Sequence, residues 1–267
     1  MRILSIIVIC VWVIVIGLCL SRKTVSPAEP PINKHPRVMV VVVTKDYVPQ
    51  QCWDAILAQD YDNYSMMVHV LKSKLTNANP IMQFSMRVAE NKEIARQMAL
   101  ASKADDFLFV DSSVVIPPNA VSEFVAQLTV GHADTNYERF VEKSLPGTKC
   151  VYERKHAIAG YVPFRPTDAP VTTYIMGILV ANNVPSYFHA VKPSVTRIAF
   201  ASCGCIMIDR ETLSRLVWQS GIDSYWLVEG QPAFYDDSIY LCAEISDLHI
   251  QLWADGSVVC QHLPRAN

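Results

Sequence analysis

The sequence predicts an α/β domain in which helices cover a mostly parallel central sheet. Two continuous apolar runs, VMVVVVT at 38–44 and FLFV at 107–110, are typical of strands that are buried on both faces. Segments with helical spacing alternate with such strands, and this alternation indicates the fold class. With 267 residues and a formal net charge of −2, the chain can bury a full core and has no excess positive charge that would favour a nucleic-acid partner.

An apolar run at the start of the chain predicts a membrane anchor. Residues 3–20 read ILSIIVICVWVIVIGLCL, and a run of about 18 apolar residues can cross a bilayer as a helix. A cleaved signal peptide is the alternative, but the residues that end the run make a poor cleavage site. We therefore assign 1–20 to a transmembrane signal anchor. The polar, Pro-rich stretch 21–36 is predicted to be a stem or linker, and 37–267 the folded domain.

The elements of the folded domain follow from residue period, propensity and turn residues. Strands are predicted at 38–44, 66–71, 107–110, 157–162, 175–180, 200–208, 250–253 and 257–260. Helices are predicted at 51–59, 90–102, 120–128, 210–218 and 237–245. The polar stretch between about 131 and 156 is left unassigned, as an insertion or a mobile loop.

One acid follows the buried run at 107–110 directly. Asp111 ends the strand, polar residues come next, and Pro117 and Pro118 precede a helix. Ligands of open α/β sheets bind beyond the carboxyl ends of the strands. A carboxylate there can hold a divalent cation, which in turn neutralises a pyrophosphate. The alternative is that Asp111 only makes hydrogen bonds in the turn.

Two more features near the carboxyl end of the chain could carry chemistry. Asp236 and Asp237 stand where a helix is predicted to begin, and acids at this place cap helices. Asp237 could also be a general base with Asp236 beside it tuning the charge, and the two roles are compatible. His262 follows the last predicted strand and would complete a metal site if it lay near Asp111. Otherwise it is a surface or packing residue.

Seven segments, in this order, resemble family 2-type glycosyltransferases of the GT-A fold. They are AILAQDYDNY at 55–64, NKEIARQMAL at 91–100, FVDSSVVIPP at 109–118, AGYVPFR at 159–165, SCGCIMIDRETL at 202–213, the acid pair at 236–237 and WADGSVVCQH at 253–262. The resemblance covers nearly all of 37–263 and implies a single GT-A domain with a Rossmann-like, mostly parallel sheet.

The resemblance also implies roles for particular residues. Thr44 and Lys45 would lie near the nucleotide, and Asp111 and His262 would hold Mn²⁺ or Mg²⁺ on the donor pyrophosphate. The second acid of the family's DxD motif is replaced by Ser113, so the motif is degenerate. A hydroxyl is a poorer ligand than a carboxylate, and we expect little metal binding without a nucleoside diphosphate.

The acid pair is similar to the Glu-Asp pair of the family. By this resemblance Asp237 is the catalytic base that deprotonates the acceptor, and Asp236 lies beside it in place of the longer Glu. The expected reaction is transfer of a sugar, with inversion, from a nucleotide-sugar donor to a glycan, lipid or protein acceptor. One alternative is a weak or inactive member that binds a sugar or a protein. Another is a nucleotidyltransferase, although the chain lacks a glycine-rich first loop.

The side of the membrane on which the domain lies is predicted from opposing features. Arg22 and Lys23 follow the anchor and favour a cytoplasmic domain by the positive-inside rule. The sequon at Asn63 and the six cysteines after the anchor favour a lumenal domain. A stem behind a single anchor is also the plan of Golgi transferases, so we expect a type II protein of the Golgi or endoplasmic reticulum. Alternatively the cysteines are reduced core residues.

Overall fold

The computed structural model describes residues 35–44, 47–70, 80–130, 155–164, 173–180, 184–219, 221–228, 231–235 and 237–263. All of them belong to one compact unit, Lys34–Asn267. Three parts of the chain lie outside the described residues. They are the predicted anchor at 1–20, most of the predicted stem, and residues 131–154 of the unassigned stretch. Within the described ranges, no helix is both long enough and apolar enough to cross a membrane.

The described residues form an alternating series of strands and helices. The strands are β1 Val38–Thr44, β2 Tyr64–Val70, β3 Asp106–Asp111, β4 Val114–Val115, β5 Ala157–Tyr161, β6 Pro163–Phe164, β7 Thr173–Val180, β8 Val184–Phe188, β9 Thr196–Ile198, β10 Phe200–Ala201, β11 Cys205–Asp209, β12 Gly221–Val228, β13 Gln231–Tyr235, β14 Leu252–Val259 and β15 Gln261–His262. The helices are α1 Gln50–Leu57, α2 Pro80–Leu100, α3 Ala120–Val130, α4 Arg210–Arg215 and α5 Asp237–Asp247.

The central sheet has the strand order β2-β1-β3-β11-β5-β14-β9. Strands β2, β1, β3, β5 and β14 run in one direction, whereas β11 and β9 run in the other. The prediction of a mostly parallel central sheet is therefore confirmed. The β2-β1-β3 block places the ends of three parallel strands side by side, and this edge carries the candidate site.

Strand β1 explains how the sheet separates two apolar layers. Val38, Val40 and Val42 are buried on the side covered by α1 and α3. Val41 and Val43 are buried on the side covered by α2, α4 and α5. A strand with helices on both faces has no polar face, which is why the sequence VMVVVVT shows no alternation.

Three predicted strands are wrong, at two places in the chain. The apolar stretch 200–208 is two strands, because a turn at Gly204 separates β10 from β11. In this turn the Gly204 amide donates to the Ser202 hydroxyl, and the Asp111 amide donates to the Gly204 carbonyl. Conversely, 250–253 and 257–260 are not separate strands, since β14 runs through Leu252–Val259 with an irregularity in its pairing to β5.

Helix α2 begins ten residues before the predicted start at 90, and its end is held by one side chain. The Arg210 guanidinium donates to the carbonyls of Leu100, Ser102 and Ala104 at 2.9, 2.8 and 2.7 Å. These carbonyls lie at the carboxyl end of the helix and just beyond it, where backbone acceptors have no partner within the helix. Arg210 thereby fixes α2 against the beginning of α4.

The remaining described strands form smaller sheets. Strands β10, β7, β6 and β8 form a second sheet, and β12 pairs with β13. Strand β15 pairs with β4 in the register His262↔Val114. This last pairing carries the end of the described chain back to the segment that follows β3.

Candidate functional site

The candidate site lies at the edge where the parallel strands β1 and β3 end. Their register pairs Val43 with Asp111, so Thr44 and Asp111 are close neighbours at this edge. Thr44 is buried, and its hydroxyl donates to the Tyr47 carbonyl at 2.6 Å. The sequence prediction placed Thr44 near a nucleotide. Lys45, predicted to share this role, lies outside the described residues.

A lysine from α2 joins the two acids that the sequence singled out. The Lys92 ammonium lies 3.2 Å from Asp111 Oδ1 and 2.7 Å from Asp237 Oδ2. Asp237 is the first residue of α5, as predicted, and Asp236 lies outside the described residues. Three distant segments of the chain therefore meet in one cluster, which we call the Lys92 ion cluster: Lys92, Asp111 and Asp237.

The Lys92 ion cluster is held in a largely dry environment. The Lys92 side chain is 3% exposed, compared with 11% for Asp237 and 36% for Asp111. Burial by itself would lower the lysine pKa, but the Asp111 and Asp237 carboxylates outweigh it and raise the pKa of Lys92 well above its usual value. The ammonium therefore stays charged at neutral pH. It also lies 5.9 Å from the centre of the Trp218 ring.

Sequence reasoning did not identify Lys92 as a site residue, although the helical period contains a signal. Ala95 and Ala99 follow Lys92 at three and seven residues, and both are fully buried. Positions with this spacing share one face of a helix. A lysine on the buried face of α2 must meet a counter-charge, because an unpaired buried ammonium is too costly.

Ser113 and His262 form a second polar contact beside the cluster. Ser113 Oγ lies 3.0 Å from His262 Nε2, and the Leu263 amide donates to the Ser113 carbonyl at 2.8 Å. The β4–β15 pairing produces this contact, because it lays His262 along the segment after β3. The structure thus brings His262 to the segment that follows β3, where it contacts Ser113.

The turn between β10 and β11 forms a further wall of the site. A Cβ atom on Gly204 would lie 3.3 Å from Asp111 Oδ2 and 3.0 Å from Ser202 Oγ, so a side chain there would crowd the acid. The Cys203 amide donates to the Ser238 hydroxyl at 3.1 Å. Burial raises the pKa of the Cys203 thiol well above its usual value, which excludes this cysteine as a thiolate nucleophile at neutral pH.

All cysteines in the described part of the chain are buried, and none of them forms a disulfide with another described cysteine. They are Cys52, Cys203, Cys205, Cys242 and Cys260. This arrangement matches the alternative in which the cysteines are reduced core residues. The sixth cysteine after the predicted anchor, Cys150, lies outside the described residues.

The residues present do not fit the divalent cation that the sequence predicted. Asp111 already neutralises the Lys92 ammonium, and Ser113 and His262 contact each other. Among the described residues there is no group of three or more His, Cys, Asp or Glu side chains that could hold a metal. A cation bound at Asp111 would also be repelled by the ammonium.

Comparisons with known proteins bear on the fold alone. No family model and no curated protein sequence matches the chain. A crystal structure of A197 from STIV is 16% identical over 85% of this chain and 86% of that chain, with a TM-score of 0.46. A crystal structure of GalNAc-T7 with UDP, GalNAc and Mn²⁺ is 9% identical, covers 88% of this chain and has a TM-score of 0.53. This chain spans only 45% of the GalNAc-T7 chain. The described domain therefore has a GT-A-like fold, similar to that of the GalNAc-T7 structure.

Proposed function

We propose that this chain transfers a sugar from a nucleotide-sugar donor to an acceptor hydroxyl. The observation that carries the proposal is the Lys92 ion cluster at the carboxyl edge of the parallel strands. It joins Asp111, the acid that ends β3, to Asp237, the acid that begins α5. In a GT-A-like fold this is the edge where an α/β sheet binds its ligand.

The proposed reaction needs one carboxylate that accepts a proton from the acceptor hydroxyl. In the proposed reaction the acceptor oxygen bonds to the anomeric carbon of the sugar, and the bond from that carbon to the diphosphate breaks. Asp237 takes the acceptor proton, and the nucleoside diphosphate leaves with the electron pair. A single displacement of this kind inverts the anomeric configuration. The ion pair to Lys92 orients the Asp237 carboxylate.

The donor site is proposed at the ends of β1 and β3. Thr44 and Asp111 lie there, with Lys45 following directly in the sequence. The acceptor would be a glycan, lipid or protein hydroxyl. No step is assigned to a metal ion, because the residues present do not fit one.

Donor binding and turnover test this proposal. Purified protein is screened by thermal shift with UDP-, GDP-, CDP- and ADP-sugars, in EDTA and in MnCl₂, and sugar release or transfer is measured for each donor that binds. A donor at about 100 times its dissociation constant should stabilise the fold by about 2.7 kcal/mol. If no nucleotide sugar binds under either condition, the transferase proposal fails.

The role of Asp237 is tested with a matched pair of variants. Asp237→Asn should lower the rate at saturating donor and acceptor by a factor of about 10² to 10⁴, because it removes the proton acceptor. Asp247→Asn, which changes an exposed acid at the other end of α5, is the control and should leave the rate unchanged. Circular dichroism verifies that both variants are folded. A rate for Asp237→Asn within twofold of the control would exclude Asp237 as the base.

One observation favours the alternative of a sugar- or protein-binding module. The predicted base is already paired with a buried ammonium at 2.7 Å, and such a pair weakens a carboxylate as a proton acceptor. If a nucleotide sugar binds but is neither hydrolysed nor transferred, the binding module becomes the better description.

A further inference from the structure

The charge balance of the Lys92 ion cluster points to a property of the site beyond sugar transfer itself. Lys92 contributes one positive charge, and Asp111 and Asp237 contribute two negative charges. The Cys203 thiol, which faces Lys92, stays protonated and adds no charge. The cluster therefore carries a net charge of −1, whereas the two carboxylates without the lysine would carry −2.

A donor pyrophosphate would be repelled by two uncompensated carboxylates at the same edge of the sheet. A divalent cation is one way to reduce that repulsion, and a fixed ammonium is another. In this chain the ammonium is already in place and is more deeply buried than either acid. Its burial also means that a bound cation cannot push it out into water without breaking both ion pairs.

We propose that Lys92 is the resident cation of this site, so that a nucleoside diphosphate binds without any divalent metal. Lys92 acts through its two acids: it neutralises Asp111 and fixes Asp237, and it is therefore a positioning residue. This inference rests on the proposed function, because it assumes that the edge of the sheet binds a nucleotide. It goes beyond that function by naming what replaces the metal.

The geometry of α2 supports a fixed role for this charge. The helix is held at its carboxyl end by the three hydrogen bonds from Arg210, and the Arg96 guanidinium donates to the Leu213 carbonyl at 3.0 Å. Lys92 lies four residues before Arg96 on this braced helix. The Lys92 ammonium therefore projects from a helix that these hydrogen bonds tie to neighbouring segments.

The first experiment uses the wild-type protein. The dissociation constants of UDP, GDP, CDP and ADP are measured by calorimetry in EDTA and again in about 1 mM MnCl₂. This concentration is about equal to the dissociation constant of the weakest protein metal sites. We expect at least one of the four to bind in EDTA, with an affinity that changes by less than about threefold when Mn²⁺ is added.

The second experiment removes the ammonium with Lys92→Met. The two acids then face the diphosphate without the ammonium, so binding in EDTA should weaken by more than about tenfold. Mn²⁺ should restore much of the affinity, because the space between the carboxylates can now take a cation. A purely structural role for Lys92 would not produce this rescue by metal. Lys103→Met, which removes an exposed lysine beyond the end of α2, is the control and should bind like the wild type.

Each outcome decides between the two proposals. If the wild type binds a nucleoside diphosphate only in Mn²⁺, Lys92 does not replace the metal, and the transferase proposal stands without it. If none of the four nucleotides binds under either condition, the transferase proposal fails, and the proposed role of Lys92 fails as well. Wild-type-like binding by Lys92→Met in EDTA also overturns the role of Lys92. If that variant does not fold, the wild-type comparison alone decides.

Discussion

At the scale of single residues, the cluster shows how burial gives an ordinary residue a special role. Lysines are almost never fully buried unless they are paired. Lys92 is buried because two carboxylates, from the end of β3 and the beginning of α5, meet its ammonium. Replacing either acid leaves the ammonium with less compensation, so both acids should matter for stability as well as for chemistry.

The two acids should differ in what they contribute to the free energy of unfolding. Asp237→Asn should cost about 3 kcal/mol, because it weakens the shorter and more buried pair with Lys92. Asp111→Asn should cost only about 1 kcal/mol, since more than a third of that side chain is exposed and water screens its charge. Urea unfolding of both variants and the wild type measures the difference.

Asp247→Asn again serves as the control, with an expected change below about 0.5 kcal/mol because it alters an exposed surface position. A larger loss for Asp111→Asn than for Asp237→Asn would contradict the order of burial in the cluster.

At the scale of elements, helix ends hold the site in place. Asp209 caps α4, because its Oδ1 accepts from the Thr212 amide at 2.8 Å. Its Oδ2 lies 2.7 Å from His156 Nδ1. Helix α4 follows β11 directly, and Arg210 at its start donates hydrogen bonds to carbonyls at the end of α2 and just beyond it. A loosened cap would therefore disturb the helix that carries Lys92.

The Asp209 cap predicts a pH dependence of stability. Burial alone would raise the pKa of Asp209, but the hydrogen bonds from His156 and the Thr212 amide lower it below its usual value. A carboxyl with a lowered pKa in the folded state stabilises the fold above its unfolded pKa of about 4. That stabilisation is lost as the pH falls through the folded pKa.

Asp209→Asn should therefore show a shallower loss of unfolding free energy between about pH 5 and pH 2 than the wild type. Urea unfolding at several pH values in this range measures both slopes, with Asp247→Asn as the control that keeps the wild-type slope. Equal slopes for Asp209→Asn and the wild type would show that the cap does not depend on ionised Asp209.

At the scale of the whole molecule, the predicted anchor and the folded unit are expected to behave differently in fractionation. The apolar run at 3–20 predicts that the full-length protein stays in the membrane fraction after carbonate washing, while a chain beginning at Lys34 is soluble. Fractionation followed by immunoblotting measures both. Recovery of a shortened, secreted product from the full-length chain would support the cleaved signal peptide instead.

The sequon bears on the predicted membrane side. The Asn63 amide donates to the carbonyls of His35 and Pro36 at 2.9 and 3.2 Å, so it helps to fix the chain where the folded unit begins. A glycan on Asn63 would compete with both hydrogen bonds. Protease digestion in sealed microsomes is therefore a more direct test of the predicted lumenal side than glycosylation.

The fold could be predicted from the sequence to the extent that its signals are local. Strand β1 and helix α5 begin where predicted, because burial on both faces, helical period and capping acids act over a few residues. The split of 200–208 into β10 and β11 is missed because buried apolar residues on both sides of the turn have the pattern of one continuous strand. Ser202 and Gly204 are residue types that favour turns, and the turn forms there through contacts of Gly204 with Ser202 and Asp111.

The sequence by itself determined the fold class, the buried strands and the presence of acids at the end of β3 and at the beginning of α5. It also shows a serine, not an acid, at position 113. Only the tertiary structure decided that Lys92, 145 residues from Asp237, lies between those acids. The physical reason is that the charge of a buried group depends on every segment packed around it, whereas hydrophobic period depends on near neighbours alone.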